Sequence, residues 1–172
     1  MIGCILLLCV GDLIAHWSDG EGGPISCPGD EKVKNAAVKQ NLRRLIVKYA
    51  NKHREPPFQK IVTYDCNLEK KARPGIKGDG FDMEMLKKQK YMFSDYEEEL
   101  AKGKDLKDYL ENGLMYWWRA SSNKKHTIGG RDNNRIGCHY KKGKLFHFVC
   151  LYDQFRQVPV SRNISQFLRY FQ

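Results

Sequence analysis

The sequence predicts an α+β fold, because segments with the periodicity of amphipathic helices are followed by a segment with the pattern of a β-hairpin. From Val33 to about Asn51 apolar residues recur every three or four positions, which places them on one face of a helix. A second segment with this spacing runs from Asp105 to Arg119. The hairpin is predicted in residues 136–152.

The hairpin prediction rests on alternation and on turn chemistry. Ile136, Cys138 and Tyr140 alternate along the first strand, and the apolar, aromatic run from Leu145 to Tyr152 is typical of a second strand. The turn between them contains Gly143. We define the basic tip as the three lysines that surround this glycine, Lys141, Lys142 and Lys144.

The intervening segments give weaker signals. A short extended stretch, Ile61–Tyr64, precedes a short helix predicted at Asn67–Ala72. Proline and glycine in residues 74–80 indicate a loop, and residues 83–102 carry mixed charges without a clear period. The acidic run Glu97–Glu99 is interpreted as a solvated helix face rather than as an acid–base pair.

The N-terminus has the pattern of a secretory signal peptide. The apolar run from Ile2 to Val10 is too short to span a bilayer, and small residues permit cleavage after Gly11 or Ala15. The absence of Lys or Arg before this run is unusual for a leader, and a buried N-terminal strand is the alternative. We therefore expect a leader in residues 1–15, an irregular arm in 16–32, one domain in 33–172, and secretion without a transmembrane anchor.

Cysteine usage agrees with an oxidising compartment. Of six cysteines two fall within the predicted leader, which leaves Cys27, Cys66, Cys138 and Cys150, and four cysteines allow three pairings. Their spacing does not resemble a zinc framework. Cys138 and Cys150 are equidistant from Lys144, so the hairpin register opposes them at a separation that a disulfide can bridge. Cys27 then pairs with Cys66 by elimination.

The chain is strongly basic, with a formal net charge of +10 from 30 Lys and Arg against 20 Asp and Glu. This balance favours acidic partners, and outside the cell nucleic acid is not expected among them. An ordinary lysine-rich surface explains the charge equally well, because no block of five or more basic residues occurs. At the basic tip we expect weak, salt-dependent binding of sulfated glycosaminoglycans, since a disulfide would hold its three lysines in place.

Five short segments resemble one family when taken in order. They are Cys27-Pro28 before a helix that carries Gln40–Arg43, Tyr64–Ala72, Trp117-Trp118, Ile136–Cys138 and Phe148–Asp153. Their order and spacing resemble the cysteine-rich secretory, antigen and pathogenesis-related superfamily, also called the SCP/TAPS or CAP domain. Within it they are most similar to the activation-associated secreted proteins of parasitic nematodes. The resemblance implies an α-β-α sandwich with a central, mainly antiparallel sheet.

The resemblance also implies a cleft with two His and two Glu, which in some members holds a divalent cation. This chain departs from that pattern, because the Glu expected after the tryptophan pair falls at Arg119 or Ala120 and residues 73–95 contain no His. His126 is the residual cleft candidate, and we interpret it as an exposed loop histidine. Such a site needs several converging ligands, so we expect no metal, no cofactor and no catalytic residue.

Two further histidines lie in the predicted hairpin. His139 and His147 have the strand parity that places them on the face opposite the paired cysteines. We interpret both as paired or half-exposed sheet positions. Beyond the hairpin, Asn163-Ile164-Ser165 is an acceptor sequence that predicts an N-linked glycan on Asn163.

The resemblance implies a secreted, non-catalytic binding protein, released by a parasite to modulate host molecules. The expected partner is a host or extracellular protein, with sulfated glycosaminoglycan or lipid as further candidates. An extracellular lipid or sterol carrier and a secreted hydrolase or ribonuclease are the alternatives. We assign scaffold roles to Tyr64 and Phe148 in the core, and to Trp117 and Trp118 in packing a helix on the sheet.

Overall fold

The computed structural model describes residues 23–52, 54, 61–119, 128–129 and 133–154. The predicted leader, the residual cleft candidate His126 and the predicted glycan acceptor Asn163 lie outside the described residues. Helices in the described ranges are α1 (Ala36–Asn51), α2 (Cys66–Ala72), α3 (Met83–Lys88) and α4 (Leu106–Arg119), with 3-10 turns at Asp30–Lys32 and Arg73–Gly75. Strands in the same ranges are β1 (Thr63–Tyr64), β2 (Ile76–Lys77), β3 (Gly80–Phe81), β4 (Met92–Glu99), β5 (Asn133–Lys142) and β6 (Leu145–Gln154).

The main sheet has four strands in the order β1-β5-β6-β4. The long β5–β6 hairpin forms its centre and pairs Cys138 with Cys150, as the sequence predicts. Strand β4 pairs antiparallel with β6, and the two-residue β1 pairs parallel with β5. The sheet is therefore mixed but mainly antiparallel.

Helices cover both faces of this sheet. On one face α1 and α4 pack against the even-numbered residues of the hairpin, and the buried cluster includes Ile46, Leu114, Trp117, Phe146 and Phe148. On the other face α2 and α3 pack against Val149 and Leu151 through Leu68, Ala72 and Leu86. Because successive strand residues point to opposite faces, one strand supplies both cores. The architecture is an α-β-α sandwich, which confirms the predicted fold class.

The acidic run Glu97–Glu99 lies in a strand, so its interpretation as a helix face is wrong. Strand β4 pairs with β6 along its whole length, from Met92 opposite Tyr152 to Glu99 opposite Leu145. It lies at the edge of the sheet, where charged side chains are common because they discourage pairing with another chain. The mixed charges that obscure its period are thus typical of its position.

A short hairpin replaces part of the loop predicted in residues 74–80. Strands β2 and β3 pair across a turn at Gly78, whose φ of 61° lies in the left-handed region that glycine adopts readily. None of the helices in the described ranges is long and apolar enough to cross a membrane.

Helix α2 packs closely against strand β5. Asp65 caps its N-terminus by accepting hydrogen bonds from the backbone N–H groups of Asn67 and Leu68, at 2.8 and 3.1 Å. The helix then crosses β5 at Gly137, where a Cβ atom would lie only 2.3 Å from the backbone nitrogen of Glu69. A glycine at this position is what allows the approach.

Candidate functional site

Both predicted disulfides are present. Cys27 is joined to Cys66 across 39 residues, with a Cα–Cα distance of 5.7 Å, so the N-terminal arm is tied to the start of α2. Cys138 is joined to Cys150 across the central hairpin, with a Cα–Cα distance of 4.1 Å. The first bond adds a covalent link to the non-covalent contacts of the arm, and the second lies inside the core.

A buried ion cluster lies beside the Cys27–Cys66 bond. The Arg43 side chain on α1 is only 2% exposed and reaches two carboxylates. Its Nε donates to Glu69 Oε2 at 2.7 Å, and its Nη2 donates to Asp30 Oδ1 at 2.9 Å. Lys39 also contacts Glu69, with Nζ 2.8 Å from Oε1. The cluster joins the arm, α1 and α2.

Hydrogen bonds shift the pKa values of both carboxylates in this cluster. Bonding to Arg43 lowers the pKa of Asp30 to about 2. Burial acts to raise the pKa of Glu69, but hydrogen bonds from Arg43, Lys39 and Tyr64 outweigh it, and the pKa is lowered. Both carboxylates therefore stay charged and bonded at neutral pH, which suits a structural role rather than proton transfer.

Tyr64 has a polar role in addition to the predicted core role. Its ring packs against the main core, whereas its hydroxyl lies 2.9 Å from Glu69 Oε2 and accepts a hydrogen bond from the backbone N–H of Cys138 at 3.2 Å. Burial raises the pKa of Tyr64, so the hydroxyl keeps its proton and can donate it to Glu69.

The two tryptophans at the end of α4 contact different elements. Trp117 is fully buried, stacks on Phe148 with ring centroids 4.8 Å apart, and donates from Nε1 to the carbonyl of Asp95 on β4 at 2.9 Å. Trp118 is half-buried and donates from Nε1 to the carbonyl of Tyr49 on α1 at 3.2 Å. Trp117 thus packs α4 on the sheet, and Trp118 packs against the same core while its Nε1 also joins α4 to α1.

The histidines of the hairpin lie on the face opposite the disulfide, in agreement with their parity. The His147 side chain is 1% exposed, with Nε2 3.0 Å from Glu97 Oε2 and its ring edge-on to Phe81 at 5.3 Å. Only the strand assignment of β4 reveals this pair, because Glu97 is directly opposite His147 in the register. His139 is half-buried on β5, and burial, reinforced by the charge of Arg73, lowers its pKa to about 4.

Acid is expected to weaken the fold through His139. Because its pKa falls from 6.5 to about 4 on folding, the unfolded chain takes up a proton that the folded chain does not, and stability decreases as the pH drops through this window. After allowance for the partial exposure of His139, we expect the free energy of unfolding to fall by about 1 kcal/mol between about pH 7 and pH 5. Urea denaturation at both pH values should show a smaller loss for His139→Asn than for the unchanged chain. Equal losses would contradict this assignment.

The described residues do not fit the divalent cation that the family resemblance implies for some members. Among residues 23–52, 54, 61–119, 128–129 and 133–154 there is no group of three or more His, Cys, Asp or Glu placed to hold a metal ion. His147 and Glu97 supply only two donors, and the Glu69 carboxylate is already bonded to two cations. A cation needs more converging donors than this arrangement offers.

The basic tip is exposed, but each of its lysines has a partner. Lys141 Nζ donates to the carbonyl of Gly78 at 2.5 Å, and Lys144 Nζ lies 3.8 Å from Asp79 Oδ2. Lys142 Nζ lies 5.5 Å from the centroid of the Tyr109 ring. The β2–β3 turn therefore lies against the tip and adds the negative charge of Asp79, which makes the tip less available to a polyanion than the sequence indicates.

The fold and cysteine framework define a disulfide-bonded α-β-α sandwich, and comparison with known families identifies it further. The profile of the family described as ASPRs, Ancylostoma-associated secreted protein related, matches residues 27–152. Since this match spans most of the chain, the protein belongs to that family of secreted proteins and has the CAP-type fold that the resemblance implies. A search of curated protein sequences gave no match.

Several solved structures are similar to this chain at low sequence identity. The manganese-bound form of the Ancylostoma protein Ac-ASP-7 is 18% identical, with a TM-score of 0.49 and 75% of each chain covered. The hookworm platelet inhibitor is 13% identical, with a TM-score of 0.45 and 71% of each chain covered. Venom allergen-like protein 4 of Schistosoma mansoni is 14% identical, with a TM-score of 0.43, 66% of this chain covered and 84% of that one.

Proposed function

We propose that this protein is a secreted, non-catalytic binding protein that modulates an extracellular host protein. The observation that carries the proposal is the state of the buried ion cluster. Glu69 is bonded to Arg43, Lys39 and Tyr64, and Asp30 is bonded to Arg43. The most deeply placed acidic groups are thus committed to holding the arm and two helices together. Membership in a family of secreted proteins supports the extracellular setting.

The remaining acid–base pair, His147 with Glu97, is the best argument for the rival hydrolase or ribonuclease. Its imidazole is 1% exposed and covered by Phe81, so a substrate would have to displace the β2–β3 hairpin to reach it. A general acid or base must come within hydrogen-bond reach of the reacting atoms, and this arrangement opposes that approach. The Glu97 side chain is 46% exposed, but the buried imidazole makes no hydrogen bond with acceptable geometry to it, so the two groups are not arranged as a working acid–base pair.

The test is to measure binding and turnover on the same preparation of the secreted, oxidised protein. Surface plasmon resonance against a panel of purified host plasma and matrix glycoproteins should show saturable binding to at least one member. Protease, esterase and ribonuclease assays should show no turnover. Turnover that is lost in His147→Gln but retained in the matched variant His139→Gln would replace the proposal with the enzyme alternative. Native mass spectrometry after exposure to a lipid extract would reveal a lipid carrier instead.

A further inference from the structure

Helix α1 carries an exposed row of positive charge on its outer face. We define the cationic ridge as Arg44, Lys48 and Lys52, which follow one another at intervals of four residues. Lys52 immediately follows the helix and keeps helical dihedral angles, with φ −53° and ψ −32°. At 1.5 Å per residue the three Cα atoms rise by about 6 Å per step and about 12 Å in all. All three residues are exposed.

The ridge keeps its charge because acidic groups lie elsewhere. Helix α1 contains no Asp or Glu. Its other basic residues, Lys39 and Arg43, face the interior and contact Glu69 and Asp30. In the described part of the chain no salt bridge involves a ridge residue. Lys52 Nζ lies 5.5 Å from the centroid of the Tyr49 ring, a contact of the same kind as that of Lys142 in the basic tip. The ridge therefore differs from the tip in charge, because no described carboxylate lies beside it, whereas Asp79 lies beside Lys144.

We propose that the cationic ridge binds a sulfated polysaccharide chain, and this rests on the proposed function as an extracellular binding protein. Because residues four apart are offset by about 40° around a helix, the three cations follow a gently curved path, which a flexible linear polymer with regularly repeated anionic groups can follow. Arg43 anchors that helix to the arm and to α2, so little order has to be created on binding. The net charge of +10 steers a polyanion toward the protein, and the ridge provides the place of contact.

The surroundings of the ridge favour a polysaccharide over an anionic membrane. Membrane-surface helices insert exposed apolar residues beside their basic ones. Here the neighbouring apolar residues Leu45 and Val47 pack against the main core, and the exposed Asn41 supplies polar surface. The one exposed large apolar residue of α1, Val38, precedes Arg44 by six residues and so lies about 120° around the helix from it. Binding through charge alone should be strongly salt-dependent, because each neutralised anion releases a counterion.

The experiment compares two variants that each lose three charges. The ridge variant is Arg44→Gln, Lys48→Gln and Lys52→Gln, and the tip variant is Lys141→Gln, Lys142→Gln and Lys144→Gln. Affinity for a defined heparin oligosaccharide is measured by calorimetry at several salt concentrations. We expect the ridge variant to lose about tenfold or more in affinity, with the slope of log K against log salt reduced by roughly two, and the tip variant to change little. Circular dichroism should show both variants folded, since all six residues are exposed.

Three results would contradict the proposal that the cationic ridge binds a sulfated polysaccharide. Equal losses of heparin affinity in the two variants would show that heparin responds only to the overall net charge. A loss of affinity confined to the tip variant would place binding at the hairpin. Unchanged heparin affinity in the ridge variant, together with lost binding to phosphatidylserine vesicles, would indicate a membrane surface instead. The host-protein binding and turnover assays are separate measurements. If the ridge does not bind heparin, the proposed function is unaffected, and if no host protein is bound, those assays show it independently of heparin binding.

Discussion

Replacing Arg43 with methionine is expected to lower the free energy of unfolding by about 3–5 kcal/mol, because the change removes one partner of a buried ion cluster and leaves the others in place. Asp30 loses the side chain that holds its pKa near 2. Glu69 keeps Lys39 and Tyr64, so most of the cost falls on Asp30. The adjacent Arg44 is exposed, and Arg44→Met should change stability by no more than about 0.5 kcal/mol. Chemical denaturation of both variants measures the difference.

The pH dependence of that loss distinguishes the ion cluster from simple packing. In the unchanged chain Asp30 has a lowered pKa, so its contribution is present above about pH 4 and is lost as the pH falls toward 2. The gap in stability between the unchanged chain and Arg43→Met should therefore narrow in acid. Asp30→Asn should recover part of the loss in the methionine background, because it removes the buried charge that lacks a partner. A gap that is constant between about pH 7 and pH 3 would mean that only side-chain packing was lost.

Gly137→Ala is the second change with a large expected effect. The added Cβ would lie 2.3 Å from the Glu69 backbone nitrogen, 2.4 Å from Leu68 Cβ and 2.5 Å from the Asp65 carbonyl oxygen. Two of these atoms belong to the backbone of α2 or its cap, so the whole helix must move away from β5. Overpacking of this kind costs about 3 kcal/mol, at the upper end of the usual range, because no flexible side chain can give way.

The matched control for this change is Gly80→Ala in β3. A Cβ there would meet nothing within 4 Å, and Gly80 does not have a positive φ. That substitution should be neutral or stabilise the protein slightly, because alanine restricts the unfolded chain more than glycine does. Thermal unfolding of the two variants side by side tests the close approach of α2. Similar melting temperatures for the two would show that the helix does not lie against Gly137.

The elements that the sequence predicts best are those with local and complete patterns. Helices α1 and α4 have long, largely apolar stripes, and the β5–β6 hairpin combines alternation, a glycine turn and two cysteines in register. Strand β4 lacks such a pattern, because only Ser94 among its eight residues is fully buried. Charged side chains on an edge strand discourage it from pairing with another chain, and they leave little apolar periodicity to detect in the sequence.

The buried ion cluster could not be predicted from local sequence patterns, for a different reason. Arg43 meets Asp30 and Glu69, which are 13 and 26 residues away along the chain, and Arg44 beside it faces solvent. One signal was available, since helical spacing places Arg43 on the same stripe as the buried Ile46 and Ala50. A basic residue on an apolar stripe indicates a buried partner of opposite charge, although it does not identify that partner.

The Cys27–Cys66 bond makes the electrostatics of the interior depend on where the chain is folded. The short segment that carries Asp30 is fastened to α2 by this bond, and the Cys27 backbone N–H also donates to Asp30 Oδ2 at 2.8 Å. Disulfides persist in the secretory pathway, whereas cysteines are kept reduced in the cytosol. A chain produced in the cytosol would hold the arm by non-covalent contacts alone, and Arg43 would lose one of its two counter-charges whenever the arm detached. The choice of expression compartment thus sets the charge balance of the core.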